Sequence, residues 1–324
     1  MDEIKLTPAD FTPFFKAIWG FDPFPWQQRL LNRLASSEDI ENNRNGEPGR
    51  WPSVLDLPTG AGKTAALDIA LFHLALEAAS GSLRRAPVRI AFVVDRRLIV
   101  DDAYERARVL AAALLKAIEE PTAADPVVLK VAQTLCHLAG VGQAPLLVRR
   151  LRGGAPREDD WARTPVQPTI LCSTVDQVGS RLLFRGYGVS DRMKPIHAGL
   201  LGSDCLLLLD EAHLSEPFRQ TLKAISRLRA PDQAPFGFAL LTATPNVDRE
   251  QSFGLNSDDR AHPVLSARIA APKPARLKEI AGKPGVESET HRVEEVVAAA
   301  QAILEPLQNS RATQPVVGVV VNRV

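Results

Sequence analysis

The chain has 324 residues, of which 45% are hydrophobic and 24% charged, and its formal net charge is +1. This length predicts one large domain with an additional piece, or two domains. The composition is ordinary for a globular protein, and the absence of any apolar run as long as a bilayer span argues against a membrane protein. The balanced charge provides no overall attraction for nucleic acid, so any such contact has to be local.

The first six residues, Met1 to Leu6, mix acidic and basic side chains and lack the apolar core of a secretion signal, so we expect a cytoplasmic protein. Three cysteines, Cys136, Cys172 and Cys205, are far apart in the sequence. Their odd number and spacing argue against a disulfide framework and against a zinc site, and predict buried thiols.

In chain order, an aromatic and proline-rich entry from Phe11 to Trp26 precedes a helical pattern from Gln27 to Leu34. The polar stretch Asp39 to Arg50 is predicted as a surface loop. Short apolar runs then alternate with longer amphipathic ones. This alternation predicts an α/β fold with a mostly parallel sheet covered by helices.

The predicted strands are 53–56, 89–94, 169–172, 205–209 and 237–241. The predicted helices run from Lys63 to Leu76, from Ile99 to Ile118, from near Val175, and from Pro217 to Leu228. Residues 139–168, which contain glycines, prolines and charges, are predicted as an exposed excursion between core elements.

Beyond Pro245 the sequence becomes irregular, and a helical pattern from Val293 to Leu307 precedes a last apolar run, Val316 to Val321. We therefore predict an N-terminal cap over residues 1–50, a first α/β domain over 51–246, a linker over 247–290, and over 291–324 the incomplete start, or stub, of a second domain.

The most informative segment runs from Leu57 to Thr64, Leu-Pro-Thr-Gly-Ala-Gly-Lys-Thr, directly after a predicted strand and at the start of a helix. Its glycines allow backbone N–H groups to converge on a phosphate, Lys63 is suited to the β and γ phosphates, and Thr64 to Mg²⁺. This pattern predicts a Walker A loop binding ATP. Leu57 departs from it, because glycine is usual there, and the alternative is a chance Gly-Lys-Thr. The predicted cofactor-binding residues are Thr59, Gly60, Ala61, Gly62, Lys63 and Thr64.

Asp210 and Glu211 follow the apolar run from Cys205 to Leu209, within the sequence Asp-Glu-Ala-His. Two adjacent carboxylates at a strand end suit a division of work, in which Asp210 holds Mg²⁺ and Glu211 polarises the attacking water. The alternative is an ordinary helix N-cap. We expect this pair and the Walker A loop to lie side by side across neighbouring strand tips.

A third element, Leu241-Thr242-Ala243-Thr244-Pro245, also ends an apolar strand. In isolation it is an ordinary turn sequence. Its threonines, Thr242 and Thr244, could hydrogen-bond to His213 and report the state of the nucleotide.

In this order, the three elements resemble motifs I, II and III of superfamily 2 DEAH-box helicases. The resemblance implies that residues 51–246 form a RecA-like P-loop domain and that residues 291–324 begin a second RecA-like domain. The resemblance implies catalytic roles for Lys63, Asp210, Glu211 and His213. It also implies that Gln27 reads adenine, although a glutamine on a helix is more often a surface residue. The implied nucleic-acid contacts are Arg96, Arg97, Thr174 and Gln177.

Longer blocks, at 21–27, 180–188 and 196–200, resemble the CRISPR-associated helicase-nuclease of type I systems, of the subtype formerly called U and now G. The resemblance covers nearly the whole chain. It implies ATP and Mg²⁺ as cofactors, and as partners the displaced single-stranded DNA of an R-loop and a guide-RNA surveillance complex.

Two parts of that family's enzyme are not recognisable here. There is no Gln-x-x-Gly-Arg-x-x-Arg signature of the second RecA-like domain, and none of the six histidines is followed by the aspartate of an HD nuclease site. We therefore expect a truncated chain with weak or no ATP turnover, because the arginines of the second domain stabilise the transition state, and no nuclease activity.

Two rival functions stay open. One is a different superfamily 2 helicase, acting in repair or RNA remodelling. The other is a catalytically idle fragment that occupies DNA or a surveillance complex. A P-loop kinase is disfavoured, because kinases do not need the Asp-Glu-Ala-His and Thr-Ala-Thr elements.

Overall fold

The computed structural model describes residues 6–36, 51–80, 84–153, 159–211, 215–229, 234–243, 252–272, 286–308 and 318. The chain forms two compact units, residues 1–271 and residues 272–324. The predicted surface loop at 39–50 lies outside the described residues, as does the predicted strand at 316–321 except for Gly318.

The first unit is built on a sheet of seven parallel strands in the order β3-β4-β2-β5-β6-β1-β7. The strands are β1 (Val54–Asp56), β2 (Arg89–Val94), β3 (Leu147–Leu151), β4 (Thr169–Thr174), β5 (Cys205–Asp210), β6 (Phe236–Thr242) and β7 (Ser252–Gly254). The predicted α/β fold with a mostly parallel sheet is confirmed.

Helices cover both faces of this sheet. Those of the first unit are α1 (Phe11–Trp19), α2 (Pro25–Ala35), α3 (Ala66–Ala79), α4 (Arg97–Glu119), α5 (Pro126–Ala139), α6 (Val175–Leu182), α7 (Lys194–Gly202), α8 (Glu216–Leu228), α9 (Ser257–Ala261) and α10 (Pro263–Ala270). Short 3-10 helices span Pro8–Asp10, Lys63–Ala65 and Asp160–Ala162. In the second unit, α11 covers Val286–Gln308.

The strands bury side chains on both faces, because successive residues of a strand point to opposite sides. In β5, Leu206 and Leu208 join the cluster that includes α1 to α5, whereas Leu207 and Leu209 join the cluster that includes α6 to α8. Every residue of β2, β4 and β5 is buried. This explains why these three strands read as largely apolar runs without polar alternation in the sequence.

α3 is the central helix of the first layer. Its residues from Ala66 to Ala75 are all buried, so it has no polar face. The helices α1 and α2 lie over it and complete the same hydrophobic core. The described part of the predicted N-terminal cap, residues 6–36, therefore packs into the core of the first unit.

Two expectations about the chain's organisation were wrong. The stretch 139–168 contains an edge strand, β3, whose Arg149 and Arg150 pair with Asp160 and Asp101. An edge strand has one side open to solvent and can carry charged residues there. Such residues interrupt the apolar pattern by which a strand is predicted from sequence. The predicted linker 247–290 begins too early, since β7 pairs in parallel with β1 and the first unit extends to Ala271.

Cys172 and Cys205 are buried and free, as predicted, while Cys136 is half-buried. Burial raises the pKa of Cys205 to about 12, so this thiol is kept protonated and unreactive.

Candidate functional site

The segment 57–64 forms a tight loop between β1 and the 3-10 turn that leads into α3. Gly60 and Gly62 adopt left-handed backbone conformations, with φ of +86° and +78°. Only glycine adopts such angles without strain, so the backbone conformation of the loop explains why these two positions are glycines. The loop therefore has the strand, turn and helix context that a Walker A loop requires.

Leu57, which stands in place of the usual first glycine, has a structural role. Its side chain is fully buried in the core. Its backbone N–H donates to the carbonyl oxygen of Thr242 at 3.0 Å. The first position of the loop is thus fixed to the end of β6, and the missing glycine does not disrupt the turn.

Three side chains approach consecutive carbonyl oxygens of the loop. The Trp26 Nε1–H donates to the Ala61 oxygen at 2.9 Å, the Gln27 amide lies 3.5 Å from the Gly62 oxygen, and Arg268 lies 3.4 Å from the Gly60 oxygen. Only the first distance is that of a strong hydrogen bond. These contacts hold the carbonyl side of the loop against α2 and α10.

Gln27, for which the resemblance implies adenine recognition, is only 2% exposed. Its side-chain oxygen accepts from the Phe24 N–H at 2.9 Å and so caps a backbone donor at the start of α2. A Cβ atom added to Gly62 would lie 3.3 Å from the Gln27 amide nitrogen. In this structure Gln27 packs against the Walker A loop, a role that sequence reasoning did not predict.

The acidic pair lies at the carboxyl end of β5, and the loop follows the carboxyl end of β1. Because all strands are parallel, the two groups lie at the same end of the sheet. β1 and β5 are not neighbours, however, because β6 lies between them. The expectation of neighbouring strand tips is corrected in this respect. The intervening strand places Thr242 between the two groups, with Thr242 opposite Asp56 in register.

Asp210 is 8% exposed, and burial raises its pKa above the ordinary aspartate value. The Lys63 ammonium and the Glu211 backbone N–H oppose this rise, since both lower the pKa of Asp210. The Glu211 N–H donates to the Asp210 carboxylate at 3.0 Å. Lys63 and Asp210 are therefore electrostatic neighbours, although they are 147 positions apart, by subtraction of their residue numbers.

Glu211, the predicted general base, has a φ of +52°. A left-handed conformation is unusual for a residue with a long side chain, and such strain is concentrated at functional sites. The Lys63 ammonium donates to the Leu57 carbonyl at 3.3 Å, while Thr64 is half-buried. His213 and Thr244 lie outside the described residues.

The residues present fit a magnesium nucleotide. The loop turns its carbonyls toward side-chain donors, and Lys63 supplies positive charge. Thr64 and Asp210 supply oxygen ligands of the kind that Mg²⁺ prefers. Among the described residues there is no group of three or more His, Cys, Asp or Glu side chains that could hold a metal ion by itself. Any metal here would depend on phosphate oxygens for the rest of its ligands.

The four residues implied to contact nucleic acid lie at the same end of the sheet as the loop, at or beyond the carboxyl ends of β2 and β4. Arg96 and Arg97 are exposed. Thr174 is 7% exposed, and the half-buried Gln177 accepts from Arg181 at 2.7 Å through its side-chain oxygen. The arginines are thus the accessible members of this set.

Two other arginine pairs in the sequence are structural. Arg84 donates to the Asp204 carboxylate at 2.7 and 2.9 Å. Arg149 and Arg150, on β3, pair with Asp160 and Asp101. Of the three pairs, Arg96-Arg97 is the one presented to solvent at the edge where the Walker A loop lies.

A buried ion pair next to the loop escaped the sequence analysis. Asp68 on α3 is fully buried, and its two oxygens accept from Trp19 and from Arg106, each at 2.7 Å. Burial raises the pKa of Asp68, and Arg106 opposes that rise. The Arg106 guanidinium also lies 4.0 Å from the centroid of the Trp19 ring. This cluster joins α1 and α4 to the helix that carries the loop.

None of the described helices has the length and apolar character needed to cross a membrane.

The sheet and the loop together define an α/β domain of the P-loop class. No protein-family model and no curated protein matches the chain. Among solved structures, the chain is similar to the yeast DEAD-box splicing factor Prp28, with 14% sequence identity and a TM-score of 0.43, over 93% of this chain. The chain spans 58% of that protein's length.

Proposed function

We propose that the chain binds Mg-ATP and is the nucleotide-binding half of a superfamily 2 DNA helicase or translocase. The observation that carries this proposal is the meeting of the Walker A loop and the Asp210-Glu211 pair at one edge of the sheet, where Lys63 lowers the pKa of Asp210. A lysine and a partly desolvated carboxylate at the end of a glycine loop suit phosphate and Mg²⁺.

In this proposal each residue has a separate task. The N–H groups of residues 60–64 and the Lys63 ammonium bind the phosphates. Thr64 and Asp210 would hold Mg²⁺, which would neutralise charge that develops on the phosphates. Glu211 accepts a proton from the attacking water. Thr242, between the two strands, links the nucleotide site to nucleic acid, together with Thr244 and His213.

We propose further that the biological process is type I CRISPR interference, in which the motor unwinds target DNA for degradation. The support is the set of sequence blocks at 21–27, 180–188 and 196–200. The proposed partners are the displaced single-stranded DNA of an R-loop, a surveillance complex, and a second RecA-like region together with an HD nuclease region. Arg96 and Arg97 are the first candidates to contact the DNA backbone.

ATP hydrolysis measured with and without single-stranded DNA tests this proposal. Binding of Mg-ATP is expected, together with slow turnover, because the arginines of a second RecA-like domain are worth about a thousandfold or more in rate. Fast, DNA-stimulated ATP hydrolysis by the isolated chain would contradict the expected slow turnover. Absence of Mg-ATP binding would contradict the proposal as a whole.

Comparison of R-loop DNA with an RNA duplex separates the proposed function from a repair or RNA-remodelling helicase. A preference for R-loop DNA is expected. A preference for RNA duplex would favour the other helicase, and nucleic-acid binding that does not respond to ATP would favour an idle binding fragment.

A further inference from the structure

The turn that follows α6 presents large apolar side chains to solvent. Leu183, Phe184 and Tyr187 are 57%, 62% and 64% exposed. Such exposure gives these side chains little of the free energy that burial supplies in a core. The turn belongs to the block 180–188. None of its residues takes part in the proposed binding or hydrolysis of ATP.

The backbone of this turn is strained at one residue, Phe184, which has a φ of +59°. Gly186 and Gly188 have φ of +48° and +67°, angles that glycine adopts without strain. The N–H groups of Arg185 and Gly186 both donate to the Ser180 carbonyl, at 2.8 and 3.0 Å. The left-handed region is unfavourable for an aromatic residue, because its Cβ crowds the backbone. Hydrogen bonds therefore fix Phe184 in a strained position from which its ring gains little burial.

The same turn is positively charged. Arg185 and Arg192 are exposed, and Lys194 pairs with Asp191 at 2.7 Å. Over residues 183–194 three basic residues and one acidic residue give a net charge of +2. Exposed aromatic rings interleaved with arginines are the combination that binds single strands, with bases stacked on rings and phosphates near guanidinium groups.

The turn is also connected to the proposed nucleic-acid edge. Arg181 donates to both the backbone and the side-chain oxygen of Gln177, at 3.0 and 2.7 Å. A Cβ added to Gly186 would lie 3.5 Å from Arg181 Cγ, so the turn packs on this arginine. At a rise of about 1.5 Å per residue, the turn begins roughly 9 Å along α6 from Gln177.

From these observations we propose that the turn 183–192 is a second contact for single-stranded nucleic acid, in which bases stack on Phe184 and Tyr187 and phosphates bind Arg185 and Arg192. This inference rests on the proposed function, because it assumes that a strand reaches the edge of the sheet near Gln177. It adds a surface on which bases stack to the proposed contacts of Arg96 and Arg97 with the nucleic-acid backbone.

The test measures binding of labelled single-stranded DNA and RNA oligonucleotides to the full chain by fluorescence anisotropy, for wild type and variants. Phe184→Gly removes the ring and relieves the left-handed strain, so the unfolding temperature should not fall. Tyr187→Ala removes the second ring, and Tyr187→Phe keeps the stacking surface. Phe21→Ala is the matched control, because Phe21 is 58% exposed and lies on another part of the surface.

Phe184→Gly and Tyr187→Ala are each expected to weaken binding roughly tenfold, the usual effect of losing one stacked base. Tyr187→Phe and Phe21→Ala should bind as wild type does. Arg185→Ala should reduce the slope of log affinity against log salt by about 0.7, the value for one phosphate contact on a single strand.

Failure of the wild type to bind either oligonucleotide would overturn the proposed function. Wild-type binding that is unchanged in Phe184→Gly and Tyr187→Ala would overturn only the inference about the turn. Unchanged binding combined with loss of self-association in sedimentation would identify the turn as a protein-contact surface, which also overturns it.

Discussion

Lys63, from the loop after β1, lowers the pKa of Asp210, at the end of β5, against the rise that burial causes. The two groups belong to strands separated by β6. Their proximity means that the fold itself brings a lysine ammonium and a buried carboxylate to one site, as the proposed binding of phosphate and Mg²⁺ requires.

Asp210→Asn is predicted to stabilise the ligand-free protein while abolishing Mg²⁺-dependent nucleotide binding. Because the pKa of Asp210 is higher in the folded chain than in the unfolded chain, protonation favours folding. That contribution is present below the unfolded-state pKa and is lost as the pH rises through the folded-state pKa. At neutral pH the ionised carboxylate therefore costs stability, and asparagine removes this cost.

Thermal unfolding at neutral pH and at about pH 4, near the ordinary aspartate pKa, checks this prediction. The gain from Asp210→Asn should be largest at neutral pH and should shrink on acidification. Asp102→Asn, at an exposed position on α4, is the control and should leave the unfolding temperature nearly unchanged. A lower unfolding temperature for Asp210→Asn at neutral pH would contradict the account.

Gly62→Ala is predicted to reduce nucleotide affinity in addition to stability. An alanine at φ +78° is strained, and its Cβ would lie 3.3 Å from the Gln27 amide nitrogen. Gly142→Ala is a matched control, since Gly142 has the same φ and open space around it. Both variants should lose about 1 kcal/mol of unfolding free energy.

Calorimetric titration with Mg-ATP distinguishes these two glycines. Gly62→Ala should bind roughly tenfold more weakly or worse, because displaced loop N–H groups no longer converge on the phosphates. Gly142→Ala should bind as wild type does. Equal affinities in the two variants would show that the loop geometry at Gly62 is not needed for binding.

Trp26→Phe is predicted to weaken binding of ATP, GTP and inorganic tripolyphosphate in parallel. The substitution keeps a buried ring but removes the N–H that donates to the Ala61 carbonyl at 2.9 Å. One hydrogen bond is worth about 1 kcal/mol, or roughly fivefold in affinity. The effect should be independent of the base, because Trp26 contacts the loop.

Trp161→Phe is the control for this effect. The Trp161 indole N–H is buried and has no hydrogen-bond partner in the described part of the chain. Its removal should leave all three affinities unchanged. Weakening of ATP alone in Trp26→Phe would instead mean that this residue influences base recognition.

Asp68→Ala is predicted to destabilise the fold by about 3 kcal/mol, because it leaves the Arg106 guanidinium without its buried carboxylate. Glu105→Ala removes the partner of an exposed pair with Arg108 and should cost less than about 1 kcal/mol. Chemical denaturation measures both. Similar losses for the two variants would mean that burial adds little to the Asp68 pair.

The sequence predicted the parts of the fold that depend on local pattern. β2 was predicted with its observed ends, 89–94, because the five apolar residues that follow Arg89 are all buried and leave an unambiguous apolar run. β3 was missed because Arg149 and Arg150 interrupt its pattern, and their partners Asp101 and Asp160 are identified only in three dimensions. The start of α5 carries two sequence signals of a helix N-terminus, since Asp125 caps the helix and Pro126 occupies its first position.

The candidate site was predictable to a similar degree. The Walker A loop and the acidic pair follow from residue type and position after a strand. The contacts of Trp26 and Arg268 with the loop could not be predicted, because they join segments 35 and 208 residues apart in the sequence. The strand order also required the structure, since sequence alone does not show that β6 lies between β1 and β5.

The most direct test of the central claim is calorimetric titration of Mg-ATP into wild type, Lys63→Ala and Lys116→Ala. Lys116 is an exposed lysine on α4, paired only loosely with Glu120 at 3.9 Å, and serves as the control. We predict that Lys63→Ala loses measurable binding while Lys116→Ala binds as wild type does. Unchanged ATP affinity in Lys63→Ala would contradict the account of this loop as the phosphate-binding site.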